Sequence, residues 1–549
     1  MPVITVDGIQ RAFPEGTDAG AIFDALYPGR LPRPVAAGLN GRVRPLNWAP
    51  RADCTLSLLD YTHDEGRRVY ERSLRFLFLL AVRDVLPGAR VRIEHSVGYG
   101  IYINVYADLR DDTVALIEAR MRALRDAALP FVREQWTREY AAEYFAAEGQ
   151  MDKARLLAYR ASPYFEVYGC GGLYEYFYGD MLPSTDHVRT FSLLHKPPGV
   201  VLQMPSPSAP DIAEPFSERV KLMRVFAQTA EWYNILGCEN AADLNDMIKA
   251  DALRELVRVS EALQEKSIAD IADRIARAGS RAVFIAGPSS SGKTTFANRL
   301  AVQLRVNGLR PVMLSLDNYY RDKKDAPLDE EGNPDLESLE ALDTELLGSQ
   351  LVSLFRGETV EIPRFSFQTN TRKPHGQPLR VAPDQPILIE GIHGLNPRLA
   401  AVVPRELSYR VYISALTTLN LDDHNRIRTT DVRLLRRLVR DFQFRHAPFE
   451  ETLSMWPSVR RGEERFIFPF QEEADIMFNS ALPYELSVLK KYAYPMLTRI
   501  DEGSQYFTAA RRLVKFLNYF SSTDMESELP PTAILREFIG GCSFYLKPQ

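Results

Sequence analysis

The sequence predicts an α/β fold: a parallel sheet with helices on both faces, preceded by a small β-rich domain and an α+β domain. Three observations carry this. From Arg281 onward the short apolar runs "RAVFIA", "PVMLSL", "PILIE" and "YRVYIS" alternate with helical patterns such as "TTFANRLAVQL", as strands joined by crossover helices do. A glycine-rich loop, "GPSSSGKTT", stands between the first run and the first helix. Upstream, hairpin-like and helical segments follow one another without that regular alternation.

The chain has 549 residues, and a prior of about 150 residues per domain makes three or four units the expectation. Residues 1–60 open with "VITVDGIQRAF", two strand-like runs joined at Asp7-Gly8, a dipeptide that tolerates a tight turn. A helix-like "AGAIFDAL" and a strand-like "PVAAGLNGRVRPL" complete this β-rich domain. Residues 61–217 hold a long helix, "DEGRRVYERSLRFLFLLAVRDVL", paired strands in "ARVRIEHSVGYGIYINVYA" and a second helix, "DDTVALIEARMRALRDAAL". The segment "PSPSAPDIAEP" reads as a linker. Residues 218–280 predict a helical connector, residues 281–520 the parallel-sheet domain, and residues 521–549 an appended C-terminal segment.

The chemistry concentrates in the third quarter. Residues 287–294 fit G-x-x-x-x-G-K-[ST] between a strand and a helix, where glycines let the backbone curl and point amides at phosphate. Gly287, Ser289, Ser290, Ser291, Gly292, Lys293, Thr294 and Thr295 are therefore the candidate phosphate ligands. Lys293 would neutralise β and γ oxygens, and Thr294 would ligate magnesium. "PVMLSL" runs into Asp317 and "PILIE" ends in Glu390. At the carboxyl ends of parallel strands both acids face the ligand crevice. One would accept a proton from an attacking hydroxyl while the other holds magnesium. In "TTDVRLLRRLVRD", Arg433, Arg436, Arg437 and Arg440 share one helical face. That face would close over a γ-phosphate, with Arg436, Arg437 and Arg440 the candidates for catalysis; the other reading pairs it with acids such as Asp441.

Together "FIAGPSSSGKTT", "LSLDNYYRD", "LIEGIHGLN" and "RLLRRLVRD" resemble the uridine kinase and phosphoribulokinase family of P-loop kinases, over residues 281 to about 445. The resemblance implies ATP and Mg²⁺ as cofactors, Asp317 as the catalytic base and Glu390 as the acid near magnesium. It further implies Tyr320 in the acceptor pocket, and Glu337 at the position of an aspartate that grips ribose hydroxyls. In "IPRFSFQTNTR" the family's pyrimidine-reading tyrosine and histidine are replaced by Phe365 and Asn370, while Arg372 keeps the family arginine. Loss of a hydrogen bond around which a site is built changes discrimination by about 10⁴. A nucleoside 5′-hydroxyl is the expected acceptor, with another hydroxylated metabolite as the alternative.

Residues 1 to about 60 resemble a TGS domain, a β-grasp module. Residues 61 to about 200 resemble the second additional domain of threonyl- and alanyl-tRNA synthetases, which removes mischarged amino acids using paired histidines and a Cys/His pair. Here the matching positions are Arg72, Phe76, Phe177 and Met181, none an ordinary zinc ligand. Editing chemistry and bound zinc are therefore not expected. The front half is left as a binding, regulatory or oligomer-forming module, RNA binding being an expectation by analogy alone. His63, His95 and His187 read as surface groups.

A net charge of −5 at 25% charged residues is ordinary for a globular chain and demands neither nucleic acid nor membrane. Four dispersed cysteines imply reduced thiols. "MPVITVDGIQ" does not read as a secretory signal, and "FLFLLAV" is too short to cross a bilayer. The expectation is a cytoplasmic homo-oligomer acting on a small molecule. A nucleotide-dependent RNA-binding regulator is the competing class.

Overall fold

The structure is a computed structural model that describes residues 1–177, 179–329, 332–366 and 369–545. The first strands, Val3–Val6 and Ile9–Ala12, turn at Asp7-Gly8 with φ of 48° and 83°, the left-handed pair a two-residue hairpin requires. The single strand-like stretch after the first helix is in fact a second hairpin. Pro34–Leu39 and Arg42–Arg44 turn at Asn40-Gly41 with φ of 49° and 67°. With Cys54–Asp60 they complete a five-stranded sheet against the helix Ala19–Leu26, whose N-cap Asp18 accepts from the Ala21 amide.

The long helix Asp64–Val85 carries Asp64 and Glu65 in its first turn and buries every residue from Ser73 to Val82. "FLFLLAV" is thus core, packed with the helix Asp111–Asp126 and a four-stranded antiparallel sheet that includes Arg90–Val97 and Gly100–Tyr106. The expected linker instead folds into a two-stranded ribbon, Pro205–Ser206 with Ala209–Ala213. His95 is likewise no surface group: it is buried, its ring stacked 3.8 Å from Phe226.

The helices Val220–Ile235, Ala241–Lys249 and Leu253–Ala278 follow. The last stops at Gly279, φ 62°, and packs Ile268, Ile271 and Ile275 into the same core as Phe296 and Leu300. The parallel sheet runs Val312–Ser315, Ile387–Glu390, Ala282–Ala286, Ser408–Ser414, Ile476–Asn479. Its central strand is wholly buried and wholly apolar, as a strand covered on both faces must be. The edge strand Ile476–Asn479 is too short to announce itself in "DIMFN".

Candidate active site

The phosphate loop leaves the strand Ala282–Ala286 and enters the helix Lys293–Val306. Two positions dictate glycine. A Cβ on Gly287 would lie 1.9 Å from the Ile413 carbonyl oxygen, and Gly292 takes φ +86° immediately before the helix. Lys293 folds back so that Nζ donates to the carbonyls of Gly287 and Pro288, 3.0 Å from each. Burial pushes its ammonium below the usual lysine range. Thr294 is half-buried, while Ser290 Oγ and Ser291 Oγ are buried without a hydrogen-bond partner among the described residues. A glycine cradle, a lysine, a helix N-terminus and spare hydroxyls are a donor set that fits a triphosphate.

The two strand-end acids meet beside the loop. Ser315 pairs in register with Glu390, and its Oγ donates to Glu390 Oε1 at 2.7 Å. Asp317 follows, its amide 3.4 Å from the same Oγ. Burial raises both carboxyls. At Glu390 the charge of Asp317 adds to this and the group is pushed up to about 7, whereas Lys293, Arg445 and Arg440 partly offset the rise at Asp317.

The helix Thr429–Arg445 lies directly against the loop. Arg433 donates to the Ser289 carbonyl at 3.1 Å, Arg436 to the Ser290 carbonyl at 3.4 Å, and Arg437 to Ser289 Oγ at 3.1 Å. Each arginine also has a carboxylate partner. Arg433 forks onto Glu463, Arg436 onto Glu485, and Arg437 and Arg440 share Asp441. Arg433 and Arg436 are 1% and 0% exposed, so they brace the loop from within the core. Arg440 remains half-buried, and its charge acts on both Asp317 and Lys293.

Of the residues predicted to meet an acceptor, Tyr320 and Phe365 approach with ring centroids 5.6 Å apart. Glu337 sits nearby, where burial pushes it up to about 7, against the pull of Arg437. The approach of its side chain dictates another glycine: a Cβ on Gly462 of the helix Phe449–Phe466 would lie 2.3 Å from Glu337 Cβ. Arg372 is a tie, donating to the carbonyls of Tyr319 and Tyr320 at 3.0 and 2.9 Å and to Asp343 at 3.1 Å. Asn370 stands at φ 54° in the turn, its carbonyl accepting from the Lys323 amide. Phe367 and Gln368 of this loop lie outside the described residues.

Sequence reasoning missed two carboxylates that touch the phosphate loop. Glu463 Oε1 accepts from the Ser289 amide at 3.1 Å, and Glu537 Oε2 accepts from the Thr295 amide at 3.2 Å and from its hydroxyl at 2.7 Å. A glycine inside the helical pattern "RRGEERF" was the available signal for the first region; nothing local marked the second.

In the front half, Phe76 and Phe177 have ring centroids 6.0 Å apart in one core with Met181, and Arg72 donates to the Asp180 carbonyl at 2.8 Å. Among the described residues no group of three His, Cys, Asp or Glu side chains is placed to hold a metal ion, and no helix is long and apolar enough to cross a membrane.

Residues 282–486 match the Phosphoribulokinase / Uridine kinase family. A uridine kinase from Halobacterium salinarum is 31% identical over 197 residues, 36% of this chain and 78% of that protein. One from Ligilactobacillus salivarius is 31% identical over 195 residues, 35% of this chain and 82% of that protein. The front half has different relatives: a threonine–tRNA ligase from Symbiobacterium thermophilum is 28% identical over 191 residues, 34% of this chain. That match spans only 29% of the ligase.

Proposed function

Because the chain belongs to the phosphoribulokinase/uridine kinase family, we propose that it phosphorylates a small hydroxylated acceptor, a nucleoside 5′-hydroxyl being the best fit. The observation that carries this is the pair of strand-end acids, Asp317 and Glu390, set beside Lys293 at the mouth of the phosphate loop. A nucleotide hydrolase or switch needs the loop but has no use for a second acid beside it.

Magnesium ATP, when bound, supplies the phosphoryl group and a divalent charge. The loop amides and Lys293 hold phosphate oxygens, and the Thr294 hydroxyl and Glu390 carboxylate are the hard oxygen donors that magnesium takes. Asp317 would take the proton of the acceptor hydroxyl as that oxygen bonds to the γ-phosphorus and the bond from that phosphorus to the bridging oxygen breaks, releasing ADP. Arg440 and Arg445, whose charges already act on Asp317, are suited to steady the negative charge. Tyr320 and Phe365 would wall a planar base, and Glu337 would accept from ribose hydroxyls.

The test is purified protein with ATP and magnesium against a panel of nucleosides, sugars and polyols, read by product mass. A monophosphorylated nucleoside is the expected product. Persistent ATP hydrolysis with no acceptor phosphorylated would overturn the kinase reading, and phosphorylation of a polyol alone would overturn the nucleoside.

A further inference from the structure

Where the front half meets the back, six arginines line one narrow cleft. Arg68, Arg72 and Arg75 project from one face of the helix Asp64–Val85 at spacings of four and three. Arg426, Arg428 and Arg512 come from the other half. Two buried carboxylates serve them. Glu71 pairs with Arg426 and Arg428 and more distantly with Arg75, and Asp431 pairs with Arg68 and Arg512. Asp64 and Glu65 add contacts to Arg68 at the more exposed rim.

The remaining donors find little. Arg72 and Arg75 give hydrogen bonds to backbone carbonyls, of Asp180 and His424. Nε of Arg426 is buried with no hydrogen-bond partner among the described residues, while Nε of Arg75 and Nε of Arg512 make only longer ion-pair contacts, with Glu71 at 3.9 Å and Glu65 at 3.5 Å. Burial, reinforced by neighbouring arginines and opposed by Glu71, pushes Arg75 and Arg428 down to about 10. Desolvated like charges with spare planar donors are what a phosphate-type oxyanion neutralises best. We propose that this cleft binds a small phosphate-type anion, independently of the phosphate loop. Arg428 is the N-cap of the Thr429–Arg445 helix, so the anion would sit at the outer end of the element that braces the active site.

Titration calorimetry with pyrophosphate on the full chain tests it in two variants. Lys293→Ala, which cripples the phosphate loop, should retain saturable binding. Arg75→Met should lose one binding event, weakening it at least about tenfold. Should Arg75→Met fail to fold, Arg512→Gln, at the less buried edge, replaces it. No saturable binding in Lys293→Ala, or binding unchanged by both arginine variants, would overturn the proposal and leave the cluster as an ionic scaffold.

A different observation concerns the C-terminal segment. Beyond the contacts of Glu537 with Thr295 described above, Ile534 Cγ2 lies 2.4 Å from where a Cβ on Gly292 would be. Phe538 stacks 5.1 Å from the Arg436 guanidinium, and Tyr545 Oη lies 3.5 Å from Thr295 Oγ1. Thr295 lies in the first turn of the phosphate-loop helix, whose amides are the loop's anion donors. A carboxylate therefore stands where phosphate oxygen belongs. We infer that residues 521–545 form a plug that nucleotide must displace, an inference that rests on the ATP reading above.

Hydrogen exchange of the full chain with and without magnesium ATP is the measurement, joined to the ATP affinity of Glu537→Gln. Exchange in residues 530–545 should rise on ATP addition, and Glu537→Gln should bind ATP about tenfold more tightly. Protection of that segment by ATP, or weaker binding in Glu537→Gln, would make it part of the nucleotide site and sink the plug. A loop that does not respond to ATP at all would count against the ATP reading instead.

Discussion

The two sides of the phosphate loop bury carboxylates equally well and treat them in opposite ways. On the strand-end side Asp317, Glu390 and Glu337 have no ion pair among the described residues, and burial holds them toward the neutral form. On the helix side Glu463 and Asp441 sit among several arginines that outweigh burial and hold them ionised, whereas at Glu485 burial outweighs its one arginine, Arg436, and raises the carboxyl. The number of charged neighbours set against depth decides the charge. Paired acids make scaffold here; under-paired acids are left able to exchange protons.

The comparison breaks most visibly at Asp317. Asp317→Asn should lower kcat by about 10²–10⁴ while leaving the melting temperature unchanged or raised, since a buried charge is removed. Unchanged turnover would take Asp317 out of the proton transfer. On the other side, Glu463→Gln strands Arg433, which is 1% exposed, and should cost about 3–5 kcal/mol of stability in a denaturant titration. A loss of under 1 kcal/mol would mean the fork is not structural.

The pH dependence sharpens the contrast. With Glu390 pushed up to about 7 and Asp317 raised beside it, kcat/KM should fall as pH drops below about 7, well above the ordinary carboxylate range. The acids raised in the folded state bind more protons than the unfolded chain between roughly pH 4.5 and 7. Their contribution to stability is thus present in acid and lost as pH rises through that window. Smallest in effect, Glu337→Gln should raise stability at pH 8 by about 1–3 kcal/mol and change it little at pH 4; equal effects at both pH values would refute the raised carboxyl.

What the sequence made legible was local. The phosphate loop could be read because its glycines, lysine and threonine are neighbours, and Asp317 and Glu390 because apolar strands run straight into them. The paired face of the Thr429–Arg445 helix was half legible. Its spacing was plain, but Glu463 and Glu485 arrive from other helices, and only contact shows that Arg433 and Arg436 are braces. Glu537 lies 242 residues from Thr295, beyond the reach of any spacing rule. His95 was misread because one histidine near charged residues, Arg92 and Glu94, looks the same whether it faces water or Phe226.

The hairpin of Asn420–Asp422 and Asn425–Arg426 has a further consequence. It belongs to the kinase half by position, yet the carbonyl of Asp423 accepts from the Ile93 amide, Asn420 donates to the Ile93 carbonyl, and Asn425 donates to that of Tyr176. Asp423 also anchors Arg90 and Arg92. Exchanging the synthetase-like half for another would leave these groups without partners unless the hairpin were exchanged with it. The join is thus built from residues of both halves, and a substitution on one side is felt on the other.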